Sequence, residues 1–340
     1  MKVKYSIYFK ILAKKPLLLI RIIENYIRIF VFRQRRLRKV EIGITFECMA
    51  HCEKCSSALM RDNKIEKLSF EELRKIAKEV LSLGAIQINF TGGEPLMEEN
   101  LEKIISFFKP YKTVITINTN GFLLTRERIK LLKTAGVDIF KISIDNPDEE
   151  EHDRSRGLKG CYKKAVEAIN FITREKGIFA HMSVILTPHL LKEGKIFRLV
   201  DLAKRKKITL GITMPAPVGR WLGKEFSFSE DDFREIRDVF KSNFVVSDMD
   251  AGYRGEFCPA GKEEIYITCY GDVIPCPLVQ ISFGNVREES LRNIWQRIYQ
   301  HPFFNLNVGF CRASRDRNIR GFIEKNFKGR LPVYYKNCTI

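Results

Sequence analysis

The chain has 340 residues, of which 45% are hydrophobic and 29% are charged, and its 21 Gly and 12 Pro are ordinary for a globular protein. This composition excludes a disordered, collagen-like or low-complexity chain, and the length allows two domains, or one large domain with an appendage. Nine Cys are too few for a disulfide-stapled secreted domain, and no signal peptide is visible, so we expect an intracellular, reducing location. The net charge of +18 suggests an anionic partner.

The first forty residues carry most of this charge, with twelve Lys and Arg against the single acid Glu24. Their concentration argues against a nucleic-acid groove in the rest of the chain. Residues 16–32, PLLLIRIIENYIRIFVF, are apolar, but Arg21, Glu24 and Arg28 interrupt them too often for a membrane span. Together with Asn25 they form one stripe of a helix. This pattern predicts either an interfacial helix among anionic headgroups or a helix packed on the rest of the protein, with a solvated basic linker.

From residue 40 the sequence alternates buried strands with amphipathic helices. The predicted strands are 40–46, 85–91, 113–119, 137–144, 179–186 and 207–213, and the predicted helices are 69–83, 99–109, 125–135, 160–176 and 194–206. Continuous Val and Ile runs with short connections predict a parallel α/β sheet, open or curled into a partial barrel. Reactive groups should lie at the C-terminal ends of its strands.

After about residue 225 this alternation stops. A helix near 229–241 leads into a Cys-rich tail with a predicted hairpin that turns at Gly271 and Asp272. The tail is therefore predicted to be a second, smaller domain. The segment MPAPVGRW (214–221) either faces a substrate cavity or links the barrel to this tail.

Three cysteines follow the first strand directly, because Cys48, Cys52 and Cys55 form C-x3-C-x2-C. Three thiolates this close can hold one soft metal centre and leave one coordination position open. A structural zinc site needs four closed ligands, and His51 lies too tightly among the thiols to be an easy fourth. The spacing favours an iron-sulfur cluster over zinc or free thiols.

The motif CMAHCEKC, followed after the next strand by TGGEP, resembles the radical S-adenosylmethionine (radical SAM) superfamily, whose barrel has six strand and helix units. The resemblance implies that the three cysteines hold a 4Fe-4S cluster whose open iron chelates SAM, and that Glu94 contacts the methionine amino group. Gly92 and Gly93 would let backbone approach the ligand, and Pro95 would stiffen the turn.

Further segments resemble the surroundings of SAM in that family. The resemblance implies ribose contacts for Ser143 and Asp145, a contact of Arg156 with the SAM carboxylate, and a place for Asn120 of the NTNG motif in the cofactor site. Asn120 with the following Gly is also an ordinary turn, and 152–160 also fits a solvated loop.

The sequence departs from the family pattern at two positions. Lys54 stands where an aromatic residue or His commonly precedes the last cluster cysteine, and Asn146 stands where Gly often follows Ser-x-Asp. These differences concern the shielding of the cluster and the shape of the loop.

The tail resembles the auxiliary-cluster domains called SPASM and twitch, through its C-x(9–15)-G-x4-C opening from Cys258 to Cys276. Only Cys311 and Cys338 follow, which implies one auxiliary iron-sulfur cluster held by Cys258, Cys276 and Cys311, with Cys338 or Cys269 as the fourth ligand. The remaining cysteine, at position 161, is predicted to be buried as a small hydrophobe.

The sequence thus predicts an α/β chain in three parts: a basic helix (1–39), a partial (β/α)6 TIM-like barrel (40–225) and a small α+β auxiliary-cluster domain (226–340). The resemblance implies reductive cleavage of SAM to a 5′-deoxyadenosyl radical, which abstracts hydrogen from a peptide, a cofactor precursor or a membrane lipid. It also implies an external electron donor of flavodoxin or ferredoxin type. We expect a cytoplasmic protein, with the inner face of the membrane as a further location. The alternative is a zinc- or cluster-stabilised scaffold without catalysis at the membrane surface.

Overall fold

Six parallel strands form the centre of the computed structural model, which describes residues 3–247, 253, 258–304 and 311–335. They are β1 (Lys39–Thr45), β2 (Gln87–Gly92), β3 (Val114–Thr119), β4 (Ile139–Ser143), β5 (Phe179–Ile185) and β6 (Thr209–Thr213). Each pairs in parallel with the next along the chain. The predicted α/β class with a partial barrel is confirmed.

Helices cover the outside of these strands and their N-terminal ends. Up to β6 they are α1 (Val3–Lys14), α2 (Pro16–Phe30), α3 (Phe70–Ser82), α4 (Leu101–Phe107), α5 (Arg126–Ala135), α6 (Glu149–Arg156), α7 (Cys161–Arg174), α8 (Pro188–Lys192) and α9 (Lys195–Lys206). All five helices predicted between strands are present, and α1, α6 and α8 are additional. Helix α3 begins where Ser69 and Glu72 form a capping box, so its start is encoded locally.

The sheet continues beyond the six central strands on both sides. Strand β7 (Val245–Ser247) pairs in parallel with β6, and β8 (Glu264–Ile267) pairs in parallel with β1. Strand β9 (Val273–Ile274) returns antiparallel to β8 as the predicted hairpin. The order of the nine strands is β7-β6-β5-β4-β3-β2-β1-β8-β9. The tail therefore shares its sheet with the barrel.

The rest of the tail is built from short elements. They are α10 (Glu230–Lys241), α11 (Leu291–Gln300), α12 (Arg312–Arg315), α13 (Arg317–Asn326), and the two-stranded sheet of β10 (Ile281–Ser282) and β11 (Val333–Tyr334), with 3-10 helices at Pro95–Met97, Gly219–Trp221 and Pro302–Phe304.

The central strands are buried on both faces, but the two faces differ in polarity. Val40 and Ile42 of β1 belong to the hydrophobic core beneath the helices. Their alternates Lys39 and Glu41 are buried and polar, and the Lys39 Nζ lies 3.1 Å from the Glu41 carboxylate and 2.8 Å from that of Glu264. Because side chains alternate along a strand, the inside of the barrel is polar.

Helices α1 and α2 pack at the N-terminal ends of the strands. Ile11 and Leu18 are buried there with Val114, the first residue of β3. The Lys15 Nζ donates to Asp138 Oδ2 at 2.5 Å, just before β4. Among the residues described above, no helix combines the length and the apolar character needed to cross a membrane.

Candidate active site

The three cysteines of the first motif lie in the loop that follows β1, at the C-terminal end of the barrel. Cys52 is buried, and Cys48 and Cys55 are half-buried. Burial raises the pKa of the Cys48 thiol to about 11 and also raises the pKa of Cys55. Because cysteine binds metals as the thiolate, an ion bound here would displace the thiol protons. Three thiols on one short loop provide the donor set of an iron-sulfur cluster with one open iron position.

The two glycines of TGGEP let the next loop lie directly against the cysteine loop. A Cβ on Gly92 would come 2.1 Å from the Thr45 carbonyl oxygen, and one on Gly93 would come 2.1 Å from the Glu47 carbonyl oxygen. The Gly93 N–H donates to the Thr45 carbonyl at 2.6 Å. From the sequence, these glycines are predicted to let the backbone approach a ligand. In the structure they also let the two loops approach each other.

Glu94 is held in a fixed orientation beside these loops, and its residue is only 1% exposed. Its Oε1 accepts hydrogen bonds from Thr119 Oγ1 at 2.7 Å and from the Leu96 N–H at 3.2 Å, and its Oε2 accepts from the Asn120 N–H at 2.9 Å. Burial raises the pKa of Glu94, and these hydrogen bonds oppose that shift. A carboxylate offers about four lone pairs, so Glu94 retains capacity for a further donor such as an ammonium group.

Asn120 links the loop after β3 to the cysteine loop. Its Nδ2 donates to Met49 Sδ at 3.4 Å and lies 4.0 Å from Cys48 Sγ. Its carbonyl oxygen accepts from the thiol of Cys161, which is fully buried as predicted. The sequence motif placed Asn120 in the cofactor site, but it did not predict these contacts.

Asp145 forms a buried ion cluster with two cations. Lys54 Nζ lies 2.9 Å from its Oδ1, and Arg156 Nε lies 2.6 Å from its Oδ2. Burial alone would raise the pKa of Asp145, but Arg156 and Lys54 outweigh it and hold the pKa below its usual range. Arg156 Nη1 also donates to Cys52 Sγ at 3.7 Å. Lys54, unusual in the sequence, is therefore a counter-ion of Asp145.

The structure brings several of the predicted SAM-site residues to the cysteine loop. Asp145 and Arg156 contact each other beside the cysteine loop, while Ser143 ends β4 and is half-buried. Pro95 begins the 3-10 helix that follows Glu94.

The sequence left open that the segment 152–160 is a solvated loop. This alternative is wrong for the first residues of the segment. Residues 149–156 form α6, and His152 is completely buried. Its Nδ1 accepts from the Asp145 N–H at 3.0 Å, and burial lowers its pKa to about 4. The reason is that the carbonyls of Ser155 and Arg156 bond to the cysteine loop, which draws the helix onto the site.

Arg220 is a site residue that sequence reasoning missed. Its Nη1 donates to the carbonyls of His51 at 2.9 Å and Cys52 at 3.2 Å, and its N–H donates to the Cys55 carbonyl. A Cβ on Gly219 would lie 2.1 Å from that same carbonyl oxygen. The segment 214–221 therefore lies over the cysteine loop. No local pattern marks Arg220, because its partners are backbone atoms far along the chain.

Three cysteines of the tail, Cys258, Cys276 and Cys311, are half-buried. Burial, reinforced by Glu264, Cys258 and Cys311, raises the pKa of Cys276 well above its usual value. Burial also raises the pKa of Cys311 to about 11, with Cys258 and Glu264 contributing. Mutual influence of this kind requires the groups to be close, so their arrangement fits a shared auxiliary cluster.

Cys338 and Cys269 are the predicted alternatives for the fourth ligand of the auxiliary cluster. Cys338 lies outside the described residues. Cys269 is fully buried, its carbonyl accepts from the Leu68 N–H, and burial raises its pKa to about 12, with Lys67 and Asp272 among its charged neighbours.

Two family models match the chain. The model described as the radical SAM superfamily matches residues 42–217, more than half of the chain, and the SPASM model, described as an iron-sulfur cluster-binding domain, matches residues 258–315.

Curated relatives extend over most of the chain. An AdoMet-dependent heme synthase of Methanosarcina barkeri is 25% identical over 290 residues, covering 76% of this chain and 82% of the relative. A PqqA peptide cyclase of Rhizobium meliloti is 25% identical over 301 residues, covering 81% of this chain and 79% of the relative.

The fold is also similar to a solved structure, that of Streptococcus suis SuiB bound to the precursor peptide SuiA. The TM-score is 0.65 at 16% identity, and the match covers 79% of this chain and 66% of SuiB. This chain thus spans just under two thirds of SuiB, and the likeness concerns the fold.

Proposed function

Because the chain belongs to the radical SAM superfamily and carries a SPASM iron-sulfur cluster-binding domain, we propose that it cleaves SAM reductively at a 4Fe-4S cluster held by Cys48, Cys52 and Cys55. The observation that carries the proposal is the placement of Glu94, a buried carboxylate fixed by three hydrogen bonds beside the loop that holds the cysteines.

The bound cluster and SAM would supply methionine and a 5′-deoxyadenosyl radical, which removes a hydrogen atom from the substrate. Glu94 would accept a hydrogen bond from the methionine ammonium group. Asn120, Ser143, Asp145 and Arg156 would line the pocket around the remainder of SAM. These residues act by positioning, because a radical of this kind needs one C–H bond aimed at it and water kept away.

Two other elements support the same site. Arg220 holds the backbone of the cysteine loop through hydrogen bonds to the carbonyls of His51 and Cys52. Ile7 and Tyr8 of α1 line a cavity at the N-terminal end of the barrel, opposite the end that carries the cysteines. An external electron donor of flavodoxin or ferredoxin type would supply the electron.

The auxiliary cluster belongs to the tail, with Cys258, Cys276 and Cys311 as proposed ligands and Cys338 or Cys269 as the fourth. The proposed domains are the basic helix (1–39), the barrel (40–225) and the auxiliary-cluster domain (226–340). The substrate classes that fit it are a peptide, a cofactor precursor and a membrane lipid. The names of the matched relatives, a peptide cyclase and a heme synthase, fall in the first two classes.

The test is anaerobic incubation of the purified protein with SAM and dithionite. We expect a brown protein that releases 5′-deoxyadenosine and methionine, and a Cys48→Ala, Cys52→Ala, Cys55→Ala variant that releases neither. Iron should fall from about eight to about four atoms per chain in that variant, because the auxiliary cluster remains. A colourless zinc protein would instead support the scaffold alternative, which the enzyme names of the relatives do not favour.

A further inference from the structure

Helix α2 buries part of its polar stripe and exposes much of its apolar surface. Asn25 is completely buried and donates to the Gly84 carbonyl at 2.7 Å, and Arg21 donates to the carbonyls of Leu81 and Ala85. These carbonyls lie at the C-terminal end of α3 and just before β2, where the last carbonyls of a helix have no N–H partner within the helix itself. Asn25 and Arg21 are thus used inside the fold.

The opposite side of α2, which we call the outer face, consists of large apolar side chains in solvent. Ile20 is 60% exposed, Ile23 51%, Ile27 46% and Phe30 56%, and Phe9 of α1 is 74% exposed. Contiguous exposed apolar side chains mark an interaction surface. A soluble surface helix normally presents its polar side instead.

Exposed cations accompany this face along the chain. Lys10, Lys14, Arg33 and Arg35 are exposed on the same two helices and the segment after them, and Glu24 is the acid of this region. Beside α2 lies a cleft of about 740 Å³, which we call the arginine cleft. Its lining includes five arginines, namely Arg21, Arg28, Arg35, Arg36 and Arg292.

The arginine cleft is only partly neutralised from within. Glu24 accepts from Arg28 at 2.7 Å, and Arg36 donates to Asn25 and to the Ser82 carbonyl. Burial lowers the pKa of Arg36, and the charges of Arg28 and Arg21 lower it further, as expected where like charges are crowded. Among the described residues that line the cleft, one carboxylate stands against five guanidinium groups, a composition suited to phosphate oxygens.

We propose that the outer face of α2 and the arginine cleft together dock the protein on an anionic membrane, with the apolar side chains among the acyl chains and the arginines on phospholipid headgroups. Basic residues beside an exposed apolar helix face are the combination that binds such surfaces. A second copy of the chain is a poorer occupant, because a symmetric contact would bring the same cations together.

Docking in this way fixes the orientation of the barrel. Helices α1 and α2 lie at the N-terminal ends of the strands, whereas the cysteine loop lies at the C-terminal ends. The end of the barrel that carries the cysteine loop would then point away from the bilayer, which favours a peptide or a cofactor precursor over a membrane lipid as the substrate. The proposal does not depend on the SAM chemistry.

The test is co-sedimentation of the full-length protein with vesicles of phosphatidylcholine alone or with about 30% phosphatidylglycerol. We expect binding to the anionic vesicles and at least about tenfold weaker binding for Ile20→Glu, Ile27→Glu. The matched control is Leu131→Glu, Phe197→Glu, which adds the same charge at exposed apolar positions on α5 and α9 and should bind like the wild type.

A second pair of variants tests the arginine cleft. Arg35→Gln, Arg292→Gln should lose the preference for anionic vesicles, and Arg126→Gln, Lys130→Gln on α5 should retain it. Release of 5′-deoxyadenosine in solution should stay unchanged in all four variants. The proposal is overturned if the wild type binds neither vesicle, binds both equally, or sediments as a dimer that Ile20→Glu, Ile27→Glu converts to a monomer.

Discussion

Glu94 is the residue on which SAM binding should depend most directly. Glu94→Gln removes the charge that would hold the methionine ammonium, and it directs an amide N–H₂ toward donors that now bond the carboxylate. A charge-assisted hydrogen bond in a buried site contributes about 1.5–3 kcal/mol, so we expect the dissociation constant of SAM to rise roughly 10- to 100-fold. Anaerobic equilibrium dialysis with labelled SAM measures this.

The matched control for that variant is Glu99→Gln. It removes the same charge from the same loop at an exposed position. Equal loss of SAM binding in the two variants would mean that Glu94 acts only through the overall charge of the loop.

Arg156 should tune the cluster in the cysteine loop, because its guanidinium donates toward Cys52 Sγ. A nearby positive charge stabilises the reduced cluster, which carries more negative charge, and hydrogen bonds to cluster sulfurs raise its potential. Arg156→Met should therefore lower the reduction potential, measured by a redox titration followed by electron paramagnetic resonance. Arg154→Met, on the exposed side of the same helix, should leave the potential unchanged. An unchanged potential in Arg156→Met would contradict this role.

At the scale of elements, one ion pair fastens the N-terminal helices to the barrel. Lys15 Nζ lies 2.5 Å from Asp138 Oδ2 and also donates to the Thr113 carbonyl. Burial raises the pKa of Asp138 although Lys15 opposes the shift, so the cost of desolvating the carboxylate outweighs the attraction. Removing one partner of such a pair leaves a buried charge and costs about 3–5 kcal/mol, whereas removing both is nearly neutral.

We therefore expect Lys15→Met to lower the unfolding midpoint by several degrees and Lys15→Met, Asp138→Asn to restore most of it. Thermal unfolding of the anaerobic protein followed by circular dichroism gives both values. If the double variant were no more stable than Lys15→Met alone, the coupling of these two side chains would be absent.

The strands and helices of the barrel could be predicted because each is encoded in consecutive residues. Strand β1 is found at Lys39–Thr45 where 40–46 was predicted, and α3 begins at the capping box of Ser69. Helix α6 escaped prediction because it contains three Glu, two Arg and an Asp, with no apolar stripe to mark it. Its position depends instead on Asp145, which bonds to the buried His152.

The pairing of β8 with β1 also escaped prediction, since it joins residues more than two hundred positions apart. The same holds for the candidate site. The cysteine and TGGEP motifs are local and were visible, but the Lys54–Asp145 pair and the contact of Arg220 with His51 exist only after the chain folds.

On the scale of the whole molecule, the tail is attached to the barrel close to both proposed clusters. The Leu331 N–H donates to the Leu59 carbonyl at 2.8 Å, and Arg287 pairs with Glu72 at the start of α3. These contacts fall on the segment that follows the cysteine loop. The tail thus stabilises the first cluster site as well as its own.

Gln280 is the most direct of these links, because one amide group spans both cysteine-bearing segments. Its Nε2 donates to the Ser56 carbonyl at 2.9 Å and to the Pro277 carbonyl at 3.0 Å, and these residues directly follow Cys55 and Cys276. Gln280→Leu would leave two carbonyls without this donor, at a cost of about 1–3 kcal/mol each where they are buried. Both segments should therefore open more often.

We expect the anaerobic Gln280→Leu protein to lose iron to a chelator about tenfold faster than the wild type, in both kinetic phases if each phase reports one cluster. The control is Gln296→Leu, an exposed glutamine on α11. Faster loss from the auxiliary cluster alone would show that the amide supports only its own domain. Faster loss from both would show that one buried side chain couples the stability of the two sites, because its two acceptors belong to different cysteine segments.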